Sequence, residues 1–153
     1  MPHFNLFDLV KWLHFVALAV GGGSAVVALL ISGLEDDQEA FRGLSAVIWK
    51  KVVAWSFRLA FLLGIVLIGI LSMDHGRPFD AHYLWIKLPL VVLLLGASEG
   101  SAKSLARARR GAPLLALLLF LLASLVAVNK SAFGFRQRPL PAPAELTAAP
   151  ETR

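Results

Sequence analysis

Two tripeptides in this chain follow one plan. Trp12-Leu13-His14 and Trp85-Ile86-Lys87 each place an ionisable side chain two residues after a tryptophan, near the start of a long apolar run. An ionisable side chain at the centre of a membrane helix costs roughly 2.5–3.5 kcal/mol on insertion scales, so residues of this kind are functional candidates by default. A neutral imidazole at His14 has the lone pair to ligate haem iron or another metal. A desolvated Lys87 would serve as a second ligand, as the partner of a propionate, or as a catalytic proton donor. Both residues also have a plain structural reading, because polar side chains within a turn or two of the membrane surface can snorkel outward or bond to a carbonyl.

Other residues extend these possibilities. Gly21 follows His14 by seven positions and so lies on the same helix face, within Gly21-Gly22-Gly23-Ser24. Small residues there leave room for a flat macrocycle in a cofactor pocket, or for another helix. Lys51, Trp55 and Arg58 share one face at i, i+4 and i+7, and Arg58 is expected to pair with Glu99 of the third run. That pair would remove the cost of two partly buried charges and so reads as structural. His75 and His82, with Asp74 and Asp80, border a connection but match no zinc or di-metal spacing and read as a solvated loop. The chain has no cysteine, which excludes thiolate metal sites, iron–sulfur clusters and covalent c-type haem. It also carries no nucleophile elbow, phosphate-binding glycine loop or paired-carboxylate hydrolase site.

The elements that must position these residues are membrane helices. Of 153 residues, 58% are hydrophobic, well above the globular average. Trp12 to Leu34 holds no Asp, Glu, Lys or Arg; as a helix it would be about 34 Å long, enough to cross a hydrocarbon core of about 30 Å. That length exceeds a signal-peptide core, and the run reads as an uncleaved span. Spans are expected at about 10–34, 47–73, 82–102 and 112–129. The fold class is an all-α integral membrane four-helix bundle over residues 1–135, followed by a flexible Pro/Ala-rich tail at 136–153. Asp36 or Asp37 is expected to cap the second helix, Arg58 to lie in the outer bilayer, and Pro89 to bend or loosen the third span.

Four spans put both termini on one side of the membrane, and Lys and Arg are divided almost evenly between the sides. The short loop holding Arg107, Arg109 and Arg110 is read as cytoplasmic, which leaves the termini outside a bacterial-type inner membrane. The net charge of +5 comes from basic residues flanking apolar runs. It therefore points to anionic lipid headgroups and against nucleic acid. If Trp12 and Trp85 sit at one headgroup level, His14 and Lys87 lie at equal depth on the termini side, and Asn129-Lys130 returns to that level.

Lys11-Trp12-Leu13-His14-Phe15 opening a first span, and Leu84-Trp85-Ile86-Lys87-Leu88 opening a third, resemble the HemJ-type protoporphyrinogen oxidases and the related CopD-like small membrane families. The resemblance implies a haem b held between the first and third spans. His14 would be its axial iron ligand, Lys87 its essential companion, and porphyrin and a quinone or other redox carrier the partners. Ala28 to Leu34 stands where those families have an aromatic-Pro-Arg-Leu-aromatic segment, and their Asn-Glu-Val-Pro element is missing. Haem binding needs fewer of the matching residues than porphyrinogen oxidation does. Few soft ligands are present for copper.

The chain thus reads as a haem-binding oxidoreductase or electron-transfer protein. A non-catalytic accessory or assembly subunit, a homo-oligomer among the options, is the alternative. A small transporter would need Arg58, Glu99, Lys87 and His14 to line an aqueous path.

Overall fold

Asn5 starts the first helix, its Oδ1 accepting a hydrogen bond from the Phe7 amide at 3.4 Å, while Asp8 in the first turn complements the helix dipole. In the computed structural model, which describes residues 5–75 and 82–128, this helix α1 runs Leu6–Leu34. A loop with a 3₁₀ turn at Glu39–Phe41 leads to Gly43, whose φ of 83° is a left-handed conformation that glycine adopts without strain. Helix α2 (Leu44–Ile48) passes through a π-helical turn at Trp49–Val53 into α3 (Ala54–His75). Helices α4 (His82–Leu105) and α5 (Gly111–Val128) complete the described chain.

Four helical segments are long and apolar enough to cross a membrane, with α2, the π turn and α3 acting as one span. They form an all-α four-helix bundle. The observed boundaries extend the expected spans by a few residues, since α1 starts at Leu6 and α4 continues to Leu105. Helix α4 runs through Pro89 unbroken. The Pro/Ala-rich tail, Asn129-Lys130 and the segment 76–81 lie outside the described residues, as do the side chains of His75 and His82.

Helix α1 is lined inside mostly by small residues, and α5 mixes alanines with Leu119 and Val126, while Trp49, Val53, Phe57 and Leu94 fill the centre between the helices. The inward face of α1 is built from Ala17, Gly21, Gly22, Ala25, Ala28 and Ser32, while Leu13, Val20, Val27, Leu30 and Leu34 point outward. On α5, Ala116 and Ala123 are buried and Leu114, Leu118, Leu121 and Leu125 exposed. Lipid tails are as apolar as leucine, so helices gain by close backbone approach instead of by burying large side chains.

Helix α1 packs chiefly on α3, and α4 on α5. The α1/α3 pair is antiparallel: His14 meets Ala60 and Gly64, whereas Gly21, farther along α1, meets Ser56 and Phe57. The two pairs join at mid-bundle, where Phe57 stacks on Phe120 of α5 at 5.5 Å. Trp49, fully buried, donates from Nε1 to the Ser98 carbonyl of α4 at 3.0 Å.

The expected cap by Asp36 or Asp37 is corrected. The Glu35 carboxylate accepts the Ser45 amide at 2.7 Å, and Asp36 instead pairs with Arg110, which also donates to the Ser32 carbonyl at 2.7 Å. Arg110 opens the last helix from the adjacent loop, so it reaches an acidic loop that follows α1. Helix α2 starts only at Leu44 with Gly43 at its N-cap, after a 3₁₀ turn, so Asp36 and Asp37 lie too far upstream to cap it.

Candidate functional site

The expected site residues fall into two groups at different depths. His14 lies eight residues into α1, about 12 Å of helix from its start. Its half-buried ring makes a 2.8 Å hydrogen bond from Nδ1 to the Ala60 carbonyl of α3. A carbonyl oxygen only accepts, so Nδ1 carries the proton and a neutral ring holds its lone pair on Nε2. No second hydrogen bond to the ring is made among the described residues. Gly64, one turn beyond Ala60, also faces the ring, and a Cβ there would make an ordinary van der Waals contact, 3.5 Å from His14 Cε1.

Lys87, five residues into α4, lies, like His14 in α1, toward the end of the bundle away from the 35–43 and 106–110 loops. It is half-buried and engaged in a contact of its own, and the exposed Trp85 is engaged too. Helices α1 and α4 thus bring His14 and Lys87 to one region of the bundle. Gly21 is separated from them. A Cβ at Gly21 would lie 2.8 Å from Phe57 Cε1, so α3 fills the space beside this glycine. Gly22 is equally committed, with Phe120 2.5 Å from the position of its missing Cβ.

The second group lies nearer the other ends of the helices. Glu99 precedes the Leu105 end of α4 by six residues, about 9 Å of helix. Arg58 grips it in two-pronged fashion, Nε to Oε1 at 2.8 Å and Nη2 to Oε2 at 2.7 Å. Trp55 lies against the guanidinium, 5.2 Å from ring centre to Cζ. The pair faces outward, with side chains 42% and 52% exposed. In an apolar surround, each charge needs the other.

Among the described residues no group of three or more His, Asp or Glu side chains converges. A bare metal ion therefore has no protein cage there, whereas iron carried in a macrocycle needs only one or two protein ligands. His14, with Nδ1 anchored and Nε2 unengaged among the described residues, has the donor chemistry for one such position. No family model, curated protein or solved structure matches this chain. The site therefore stands on its own geometry.

Three participants escaped the sequence reading. Ala60 and Gly64 receive His14, and the only signal for them was a small-xxx-small pair in the second span. Trp49 had no signal, because its burial depends on the π turn that rotates it inward.

Proposed function

We propose that this membrane four-helix bundle binds haem b and serves as an oxidoreductase or electron-transfer protein, with His14 as axial ligand. The observation that carries the reading is the Nδ1–Ala60 carbonyl bond. It holds the ring orientation and selects the tautomer whose Nε2 can ligate iron, as hydrogen-bonded ligand histidines do generally. Haem, when bound, supplies one-electron chemistry. Lys87 contributes positive charge at the same end of the bundle, suited to a porphyrin carboxylate or to delivering a proton to a bound substrate. The Trp12-Leu13-His14 and Trp85-Ile86-Lys87 pattern of the HemJ-type and CopD-like families supports the same assignment. A quinone-like carrier in the bilayer and a plasma-membrane location of bacterial type go with it.

The visible spectrum of protein purified in mild detergent, oxidised and dithionite-reduced, tests the proposal. Haem bands present in wild type and absent in His14→Ala support it, and Lys87→Ala should keep the pigment while losing turnover. A colourless wild type that stays colourless after haem supplementation sinks it.

One observation favours a second reading. Phe57 and Phe120 fill the space beside Gly21 and Gly22, as close helix packing requires, and a non-catalytic accessory subunit needs nothing more. On that reading His14 is only an interhelical clamp, and His14→Ala changes stability with no spectroscopic consequence.

A further inference from the structure

A groove of about 280 Å³ runs along the outward face of the second span, its lining including Lys51, Val52, Trp55, Arg58, Leu59 and Leu62. Val52, Trp55, Leu59 and Leu62 recur at steps of three and four residues and make one apolar stripe along the helix. Lys51 sits toward the end of the bundle that holds the 35–43 and 106–110 loops, and Leu62 lies deeper. The groove therefore has a basic mouth near the membrane surface and an apolar floor leading inward.

Its charges are unequal in availability. Arg58 is bound by both prongs to Glu99 and covered by Trp55, a closed neutral unit. Lys51 is exposed and has no ion-pair partner among the described residues. With Arg42, Lys50, Lys103, Arg107, Arg109 and Arg110, Lys51 and Arg58 make eight basic residues at this end of the bundle against five acidic ones, Glu35, Asp36, Asp37, Glu39 and Glu99. We infer that this groove binds an anionic phospholipid, with the phosphate at Lys51 and an acyl chain along Val52, Leu59 and Leu62. Positive charge beside an apolar groove complements a net negative head on an apolar tail, and a zwitterionic head offers Lys51 no net attraction. A second copy fits less well, because a two-fold contact centred on the groove sets Lys51 against its own equivalent.

The site is independent of any pigment, and so is its test. Full-length protein in mild detergent, stripped of lipid, is titrated with dioleoyl phosphatidylglycerol or dioleoyl phosphatidylcholine, and bound lipid is counted by native mass spectrometry. Phosphatidylglycerol should bind more tightly. Lys51→Gln should weaken it by about fivefold and erase the preference between the two lipids. Lys11→Gln, at the other end of the bundle, should leave the preference intact, and Trp55→Ala should weaken both lipids. Circular dichroism on each variant confirms the fold. Equal binding of the two lipids, wild-type affinity in Lys51→Gln, or a lipid-excluding dimer would overturn the inference.

Discussion

The two ends of this bundle handle polarity in different ways. Toward the 35–43 and 106–110 loops, polar groups mostly close on one another: Arg58 on Glu99, Arg110 on Asp36 and the Ser32 carbonyl, Glu35 on the Ser45 amide, Trp49 on the Ser98 carbonyl, with the buried hydroxyls of Ser45 and Ser98 as exceptions. Toward the termini, His14 spends one ring nitrogen on Ala60 and keeps the other unengaged among the described residues. A closed set holds helices in place and has little left to offer a ligand. A half-committed imidazole is oriented and still has a lone pair to give.

The contrast predicts large stability effects at the closed end and small ones, with functional loss, at the open end. Trp49→Ala should be the most damaging, at about 3–5 kcal/mol, because it empties a fully buried site and removes the Nε1 hydrogen bond that ties the second span to α4. Thermal unfolding in detergent reads this, and pigment content per folded molecule should not change. Gly22→Ala forces Phe120 out of its stack with Phe57 and should cost about 1–3 kcal/mol. Phe120→Leu in the same chain should recover most of that loss; absence of recovery would place the strain elsewhere.

Glu99→Gln leaves the Arg58 charge without its counter-ion in an apolar surround, and a double-mutant cycle with Arg58→Gln should return a coupling of about 1–3 kcal/mol. A coupling near zero would mean that water reaches the pair. His14→Ala should cost only about 0.6–1.7 kcal/mol, the range of a single interhelical hydrogen bond in a membrane, and, if the proposed haem ligation is right, remove the haem spectrum entirely. The smallest effect is expected for Asp36→Asn, under about 1 kcal/mol, since its pair with Arg110 is solvent-exposed. Should His14→Ala prove more destabilising than Glu99→Gln, the division between a closed and an open end is wrong.

Much of the frame was legible in the residues. Charge-free runs long enough to cross a bilayer mark the spans, and the i, i+4, i+7 placement of Lys51, Trp55 and Arg58 survives into the structure because side-chain direction on a helix follows from its period. The meeting of Arg58 with Glu99 was also accessible, since two charges in apolar runs at matching depth have few other partners. The loop after α1 was less readable. Asp36 and Asp37 have the cap chemistry, but where the next helix starts depends on the 3₁₀ turn and on Gly43, and it is Glu35, ten residues away, that reaches the Ser45 amide.

By itself, then, the sequence determined an all-α bundle of four spans, where its intramembrane charges lie, and that cysteine chemistry is absent. Each follows from composition and local period. Only the tertiary structure decided that α3 supplies the His14 partner, that Phe57 and Phe120 occupy the glycine notches, and that a π turn carries Trp49 inward to Ser98. Those are contacts between residues tens of positions apart, set by which helix faces approach closely, and within one span a small residue facing a neighbour looks the same as one facing a cofactor.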